Sequence, residues 1–262
     1  MNESDTLILR NDRADGLTTL TLNRPNAFNS LSKDLLSALQ AELDVIATSE
    51  SVRVVVIAGA GKAFCSGHDL KEMRANHSKD YMQALFKQCG EVMLSITRMP
   101  QPVIARVHGI ATAAGCQLVS MCDLAVAADV AKFAVSGINV GLFCSTPAVG
   151  LARNLGRKAA LEMLLTGDFI DAMEAKTRGL INRVVPADAL DAEIERLAGS
   201  ILAKSAIAIR IGKGMFYKQL EMGLSDAYDY AAEVMACNMM SEDAGEGIDA
   251  FMQKRKPEYK GR

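Results

Sequence analysis

The stretch from Val103 to Leu118 reads Val-Ile-Ala-Arg-Val-His-Gly-Ile-Ala-Thr-Ala-Ala-Gly-Cys-Gln-Leu. Its opening run, rich in β-branched residues, is typical of a strand that is buried on both faces. The loop that follows consists of small residues, which let the backbone come close to a ligand, and we predict a helix over Ala113–Met121. The first amides of a helix have no acceptor within it, so together with the helix dipole they favour developing negative charge. This stretch therefore predicts a backbone site for an anion or an oxyanion.

A second stretch of the same kind lies earlier in the chain. The run Val52–Ala58 predicts another buried strand, and the glycine-rich loop Gly59–Gly67 follows it. From Gly61 onward the sequence reads Gly-Lys-Ala-Phe-Cys-Ser-Gly-His-Asp-Leu-Lys-Glu-Met. Placed side by side, the two loops would form an oxyanion hole. On spacing alone, ordinary strand-to-helix turns are the commoner explanation, and a phosphate loop is disfavoured because Ala63 stands where Ser or Thr would bind magnesium.

Outside these stretches the apolar pattern alternates between strand and helix. Strands are predicted over Thr6–Arg10, Leu17–Leu22 and Leu124–Ala128. Helical spacing begins after Ser30 and Ser32, either of which is able to cap a helix. Because β and α segments alternate, we predict parallel strands with helices on the faces of the sheet.

The last third of the chain differs from the rest. From Pro147 onward the pattern is mainly helical, and it predicts a lid or an assembly surface rather than further sheet. No repeat, low-complexity tract or linker divides the sequence. We therefore predict one structural unit, with a core over residues 1–195 and a helical region over residues 196–262.

The composition argues against several classes of function. The 262 residues include 29 basic and 31 acidic side chains, and the net charge of −2 provides no general field for nucleic acid or an anionic membrane. No apolar run reaches the ~18 residues of a membrane span, and Met1–Asp5 is unlike a targeting peptide. The six cysteines form no C-x-x-C pair, and with only three histidines they predict no metal site. We expect reduced, buried thiols in a cytoplasmic protein.

Several further blocks of sequence occur in the same order as in a known family. Besides the two loops, they are Leu22-Asn23-Arg24-Pro25, Leu165-Thr166-Gly167-Asp168, Ala175–Ile181 and Glu246–Lys256. With these blocks the chain resembles the crotonase (enoyl-CoA hydratase/isomerase) family along nearly its whole length. Within that family, Ala114–Leu118 and Asn139–Pro147 are most similar to the enoyl-CoA hydratase domain-containing protein 3 group. The resemblance implies an α/β fold, a crotonase-type spiral of ββα units with a helical C-terminal trimerisation region, and hence a homotrimer or a dimer of trimers.

The resemblance also implies an acyl-CoA thioester as the ligand, with coenzyme A as part of the substrate and no separate cofactor. The backbone N–H groups of His68 and Ala114 would hold the thioester oxygen. Phe251 and Lys254 would reach the coenzyme from a neighbouring subunit. Four residues of the first loop would lie along the adenine and pantetheine, namely Ser66, Asp69, Leu70 and Lys71.

The two glutamates that family hydratases use to add water have no counterparts here. Gln117 stands at the first position and, by register, Gly137 at the second. An amide does not exchange its proton at neutral pH, and an acid–base group is worth about 10²–10⁴-fold in rate, so we expect ordinary hydration to be very slow. We predict catalytic roles for His68, Ala114 and Gln117, and we place Gly137 and Cys144 at the substrate.

Two of these side chains have more than one interpretation. His68 is a general base, a carboxylate anchor, or a residue that lends only its amide. Cys144 is a nucleophile if its pKa is lowered, and otherwise a packed thiol.

Three functions therefore stay open. The first is an enzyme of the enoyl-CoA hydratase/isomerase type that stabilises a thioester enolate in a backbone oxyanion hole. The second is a decarboxylase of malonyl-type thioesters, because His68 and the Asn139-x-Gly141 stretch are similar to the loops of such an enzyme, although Cys144 replaces its tyrosine. The third is an acyl-CoA-binding protein without catalytic activity.

Overall fold

In the computed structural model, which describes residues 6–262, a six-stranded sheet contains the predicted buried strands. In sheet order its strands are β1 Ile8–Asp12, β2 Leu17–Leu22, β3 Val54–Gly59, β5 Val103–Val107, β7 Leu124–Ala128 and β10 Arg183–Val185. The first two strands pair antiparallel, and every later pair is parallel. Parallel neighbours require crossover connections, and these connections contain the helices.

Eleven α-helices lie within the described residues. They are α1 Lys33–Ala47, α2 Leu70–Ala75, α3 Lys79–Arg98, α4 Ala114–Met121, α5 Ser145–Asn154, α6 Arg157–Thr166, α7 Ala172–Arg178, α8 Leu190–Leu202, α9 Ala206–Gln219, α10 Leu224–Met239 and α11 Glu242–Met252. Short 3-10 helices occupy Pro25–Ala27, Ser136–Val140 and Ala187–Ala189.

A second sheet of four short strands runs beside the first. Its strands are β4 Ala63–Cys65, β6 Ile110–Thr112, β8 Lys132–Ala134 and β9 Ile170–Asp171. Three times, a strand of the large sheet is followed by a short strand of the second sheet and then by a helix: β3-β4-α2, β5-β6-α4, and β7-β8 followed by a 3-10 helix. This repetition is the predicted spiral of ββα units, and the predicted α/β fold class is confirmed.

The central strands of the large sheet are buried on both faces, as their mainly apolar sequences predict. Val55 and Ile57 of β3 belong to the apolar cluster formed with α1 and α3. Val54 and Val56 point to the opposite face and pack with Ile194 of α8 in a second cluster. A strand between two apolar layers has no polar side to alternate with, which explains its continuous apolar run.

Helix α1 illustrates how local sequence fixes an element. Of the two serines that precede it, Ser32 is the cap, and its hydroxyl accepts a hydrogen bond from Leu35 N–H at 3.2 Å. Asp34 lies in the first turn, where a negative charge complements the helix dipole. All five apolar positions at helical spacing are buried, namely Leu35, Leu36, Leu39, Leu43 and Ile46.

The prediction of no further sheet after Pro147 is wrong. β9 joins the short sheet, and β10 extends the large sheet by pairing in parallel with β7. These strands have only two and three residues, which is too short for a period-2 pattern to be visible. The strands β4 and β6, which lie inside the two predicted loops, were not predicted for the same reason: each has only three residues.

A buried ion pair fastens the C-terminal helices to the core. Lys213 of α9 contacts the Asp123 carboxylate at 2.6 Å and donates to the carbonyls of Ile96 and Gln101, each at 2.7 Å. Tyr217 O–H donates to the same carboxylate at 2.7 Å. Burial lowers the pKa of Lys213, and the adjacent carboxylate opposes that shift.

The remaining surfaces of α9 and α10 are little covered, and neither helix has a fully buried side chain. Large apolar side chains are exposed along this region, among them Phe216, Leu224, Tyr228, Met235, Met240 and Phe251.

Candidate functional site

The two predicted loops meet at the starts of their helices, and two glycines permit the contact. A Cβ atom on Gly115 would lie 2.1 Å from the carbonyl oxygen of Cys65. A Cβ atom on Gly67 would lie 2.7 Å from the Cβ of Ala113 and 3.2 Å from the nitrogen of Ala114. Gly67 also has φ +91°, a conformation that side chains rarely adopt. The first loop therefore lies directly against the backbone at the start of α4.

Two backbone N–H groups at this junction, those of His68 and Ala114, have no acceptor among the described residues. Leu31 pairs with the neighbours of His68: its N–H donates to Gly67 at 2.7 Å, and its carbonyl accepts from Asp69 at 3.4 Å. In such a parallel bridge the N–H of the residue between those neighbours points away from the partner strand. Ala114 is the first residue of α4, where a helix leaves its N–H without an internal acceptor.

The residue before Ala114 sets the direction of the second N–H. Ala113 has φ 50° and ψ −121°, a positive φ that is uncommon for alanine. Its N–H donates to Ala134 at 3.0 Å, and its carbonyl accepts from Gln117 N–H at 3.0 Å, so bonds on both sides hold the conformation. Because ψ of Ala113 rotates the peptide plane that contains Ala114 N–H, this conformation aims that group.

A cavity of about 270 Å³ opens beside the junction. Its apolar lining comes from α2, α3 and the segment between β8 and α5, and its polar lining is limited to serine, threonine, histidine and cysteine. The lining residues are Ser66, His68, Leu70, Met73, Phe86, Ala113, Ala114, Ser136, Gly137, Val140, Leu142, Phe143, Cys144, Ser145, Thr146 and Pro147. Among the described residues, no aspartate, glutamate, lysine or arginine lines it.

The imidazole of His68 is held from two sides. Its Nδ1 lies 3.4 Å from the Leu31 carbonyl oxygen, which is able only to accept, so the hydrogen is assigned to Nδ1. The ring meets Phe86 edge-on, with centroids 5.4 Å apart. Nε2 is buried and has no partner within residues 6–262. Burial lowers the pKa of His68, so the ring is neutral at pH 7.

Gln117 and Gly137, which stand where family hydratases have glutamates, have different surroundings. Gln117 is 4% exposed and does not line the cavity; its Oε1 is buried with no donor in the described part of the chain. Gly137 lines the cavity, but a Cβ there would lie 2.6 Å from the Leu142 carbonyl oxygen and 2.7 Å from Cys144 Sγ. The loop is thus packed for glycine, and a glutamate at 137 requires the backbone at Leu142 to move.

The other predicted contacts divide into two groups. Ser66 and Leu70 line the cavity, as do Gly137 and Cys144. Asp69, Lys71, Phe251 and Lys254 do not line it. The last two lie at the end of α11 and just beyond it, with Phe251 85% exposed.

Asp69 has a structural role that the sequence did not indicate. Its carboxylate caps α2 by accepting from Lys71 N–H at 3.1 Å and Glu72 N–H at 3.2 Å, and it pairs with Arg24 at 2.9 Å. Burial works against ionisation, but the bonds from Arg24 and the two amides prevail, and the pKa of Asp69 is lowered. The Asn23-Arg24-Pro25 motif thereby fixes the start of α2, next to the cavity.

Cys144 is a packed thiol. It is 7% exposed, its Sγ donates to the Val135 carbonyl at 3.5 Å, and burial raises its pKa. The condition for a nucleophile, a lowered pKa, is therefore not met. Four other thiols are also buried, at Cys65, Cys89, Cys116 and Cys122, whereas Cys237 is exposed.

Sequence reasoning missed part of the apolar wall of the cavity. Phe86 was visible only at the spacing of a helical apolar stripe, which predicts core packing equally well, and Met73 only as the last residue of the first loop stretch. Val140, Leu142 and Phe143 are 65%, 44% and 39% exposed in the structure, and the available signal in the sequence was a run of apolar residues around Gly141.

Comparison with known proteins identifies what the chain resembles. The sequence profile described as enoyl-CoA hydratase/isomerase matches residues 12–262. A solved structure of an enoyl-CoA hydratase from Mycobacterium smegmatis is 59% identical and has a TM-score of 0.96, over 97% of this chain and 98% of that one. The structure of human enoyl-CoA hydratase domain-containing protein 3 is 45% identical with a TM-score of 0.93, over 97% of this chain and 100% of that one.

A curated relative leads to one confirmation and one correction. The enoyl-CoA hydratase domain-containing protein 3 of Rattus norvegicus is 46% identical over 255 residues, 97% of this chain and 85% of that protein. The predicted resemblance to this group is confirmed. That relative and its human counterpart are named as mitochondrial, so the prediction of a cytoplasmic location is wrong. Within residues 6–262, no helix combines the length and apolarity that crossing a membrane requires.

Proposed function

Because this chain belongs to the enoyl-CoA hydratase/isomerase family, whose members act on acyl-CoA thioesters, we propose that its cavity binds the thioester carbonyl between the N–H groups of His68 and Ala114. The observation that carries this proposal is the pair of N–H groups at the junction of the two loops, for which residues 6–262 provide no acceptor. Both residues line the cavity, which supports the proposal that one carbonyl oxygen accepts from both donors.

Two such donors favour one kind of chemistry. When a bond at the α-carbon of a thioester breaks heterolytically, charge moves to the carbonyl oxygen and an enolate forms. Donors that are already oriented stabilise this charge without reorganising, and loss of one donor costs about 10²–10³-fold in rate in other enzymes. The hydrogen bonds that hold Ala113 in place provide this orientation here.

The cavity supports enolate formation better than hydration by a pair of carboxylates. No carboxylate lines it in the part of the chain that is described, and Gln117 is buried away from the lining. We therefore expect crotonyl-CoA to be hydrated very slowly. Rapid hydration by the unmodified protein would contradict this part of the proposal.

The cavity supports decarboxylation of malonyl-type thioesters less well. The additional carboxylate of such a substrate needs a cation or several hydrogen bonds when it leaves water. No lysine or arginine of the described chain lines the cavity, and the His68 ring is neutral at pH 7.

The coenzyme end of the ligand requires groups from outside this cavity. Phe251 is 85% exposed and Lys254 lies beside it, and neither lines the cavity of its own chain. In a homotrimer or a dimer of trimers these residues would reach the coenzyme of a neighbouring subunit, with Lys254 near a phosphate. The exposed apolar side chains of α9 and α10 support assembly through this region.

The proposal is tested by removing one donor. Pro is tolerated at the first position of a helix, so Ala114→Pro deletes the N–H of Ala114. A proline also restricts the residue before it, and Ala113 has φ 50° and ψ −121°, so circular dichroism first establishes that the variant is folded. Infrared difference spectra of bound butyryl-CoA, labelled with ¹³C at the carbonyl, should show a C=O stretch below its value in water. The variant should lose part of this shift.

Ala206→Pro is the matched control, because Ala206 is the first residue of α9 and lies outside the cavity. It should bind butyryl-CoA and shift the carbonyl band as the unmodified protein does. An unshifted band in the unmodified protein, or an equal shift in folded Ala114→Pro, would overturn the proposal. Binding without turnover of any thioester in a panel would instead indicate the third function, binding alone.

A further inference from the structure

We propose that Nε2 of His68 is the base that removes a proton from the α-carbon of the bound thioester. This inference rests on the proposed function and adds to it the group that generates the enolate. It gives His68 two separate roles, one for its backbone N–H and one for its ring.

The first reason is the state of the ring. The Leu31 carbonyl oxygen, 3.4 Å from Nδ1, takes the hydrogen of that nitrogen. The lone pair is therefore on Nε2, which is buried and has no donor among the described residues. Within the described residues, His108 Nδ1 is also buried without a partner but does not line the cavity, so it is the place of His68 in the cavity lining, together with the free lone pair, that points to an acceptor for a ligand.

The second reason is that the other polar groups of the lining are not bases. The Cys144 thiol donates to Val135, and burial raises its pKa. The hydroxyls of Ser136 and Thr112 bond each other at 2.9 Å, and Ser145 donates to the Phe143 carbonyl at 3.4 Å. Alcohols do not accept a proton from carbon at neutral pH without a base beside them. A neutral imidazole is thus the remaining acceptor on this wall.

The third reason is that the ring is fixed. The Leu31 contact and the edge of Phe86, with ring centroids 5.4 Å apart, restrict rotation on two sides. Phe86 and His68 both line the cavity, and Nε2 itself is covered, so the bound thioester must displace the atoms that cover Nε2. A base that is held in place avoids the entropy cost of being positioned during the reaction.

The proposed step balances without any further reactant. The α C–H bond breaks, and its proton forms an N–H bond at Nε2, which leaves an imidazolium. The electron pair of the broken bond becomes the α-carbon–carbonyl double bond, and the carbonyl electrons move to an oxyanion between the two backbone N–H groups. In D₂O the imidazolium exchanges its proton with solvent and returns a deuteron to the α-carbon.

The experiment measures this exchange directly. Butyryl-CoA is incubated with the protein in D₂O, and deuterium at the α-carbon is followed by mass spectrometry against a sample without protein. His68→Gln and His68→Asn are compared with the unmodified protein. The asparagine amide is able to keep the contact with Leu31 but places no basic atom at Nε2, so a purely structural histidine would tolerate it.

A second histidine gives the matched control. His108 is also partly buried, with Nε2 2.9 Å from the Gly61 carbonyl, an unpartnered Nδ1 in the described chain and a pKa lowered by burial. It does not line the cavity. His108→Gln should therefore exchange butyryl-CoA at the rate of the unmodified protein.

We expect both His68 variants to bind butyryl-CoA, measured by calorimetry, and to lose at least about 100-fold in the exchange rate. Exchange at the original rate in His68→Asn would overturn the assignment, and so would butyryl-CoA binding without exchange in the unmodified protein; in both cases the proposed binding mode would stand. If butyryl-CoA does not bind at all, the proposed function fails, and the role of His68 fails with it.

Discussion

The peptide plane between Ala113 and Ala114 determines the direction of one of the two proposed donors, and no sequence pattern reveals its orientation. Ala113 adopts φ 50° and ψ −121°, which costs an alanine of order 1–3 kcal/mol, and bonds to Ala134 and Gln117 compensate. The sequence predicted that small residues would surround the two N–H groups, because glycine and alanine permit close approach. It could not show which way the Ala114 N–H points, since an alanine usually has negative φ.

The close approach of the two loops predicts a sharp difference between two glycines. Gly67→Ala places a methyl group 2.7 Å from Ala113 Cβ, with φ +91°. Gly141→Ala imposes similar backbone strain at φ +77°, but a Cβ there meets no atom of the described residues within 4 Å. We expect Gly141→Ala to cost about 1–2 kcal/mol in the free energy of unfolding, and Gly67→Ala to cost more and to abolish butyryl-CoA binding. Urea unfolding and calorimetry measure both; equal effects would argue against direct contact between the loops.

The lowered pKa of His68 predicts a dependence of stability on pH. Because the folded pKa lies below the ordinary value of 6.5, the unfolded chain binds more protons just below that pH. The free energy of unfolding should therefore be highest above pH 6.5 and fall as the pH decreases towards the folded pKa. Burial lowers the pKa of His108 too, so it contributes in the same direction.

His68→Gln removes one of these contributions. Between pH 7.5 and pH 5.5, urea unfolding at a fixed protein concentration should show a smaller fall in stability for the variant than for the unmodified protein. An equal or larger fall would mean that the ring is not buried in its neutral form.

Among the secondary-structure elements, long buried strands were predictable and short ones were not. Leu17–Leu22, Val103–Val107 and Leu124–Ala128 have the predicted bounds, because runs of mainly apolar or β-branched residues stand between polar or glycine-containing turns. The strands of the second sheet have two or three residues and pair through the tertiary fold, so local preference does not reveal them. These short strands position both loops. The sequence could therefore suggest which residues form the site, but not how they are arranged in space.

Helix α9 is held to the core by the buried ion pair between Lys213 and Asp123. Loss of this pair should therefore lower the free energy of unfolding more than loss of an exposed ion pair. Lys213→Met leaves Asp123 buried without its cation and should cost about 3–5 kcal/mol in the free energy of unfolding. Arg153→Met, which removes the exposed 3.6 Å pair with Glu221, should cost less than about 1 kcal/mol. Urea unfolding measures both; a small loss for Lys213→Met would show that α9 contributes little to the folded core.

At the scale of the whole molecule, the C-terminal helices expose large apolar side chains to solvent. Met235 of α10 is 70% exposed, and Tyr228 on the same helix is 71% exposed. The prediction of a helical C-terminal region rested on periodicity, whereas the trimer was implied only by resemblance, because one sequence does not show which faces meet.

We expect light scattering to give a mass of three or six times the 28.1 kDa chain. Met235→Glu should dissociate the assembly, because a charge in an apolar interface loses its hydration. Val45→Glu, at a 57% exposed position on α1, should leave it intact. A monomeric unmodified protein would refute both the assembly and the roles proposed for Phe251 and Lys254.

The most direct test of the proposed site is a crystal structure of the protein with bound butyryl-CoA. We expect the thioester oxygen to lie about 2.7–3.1 Å from both the His68 and the Ala114 backbone nitrogens, with the α-carbon facing His68 Nε2. A thioester oxygen that contacts neither nitrogen, or two amides that bond to protein acceptors while the ligand lies elsewhere, would contradict the proposed function.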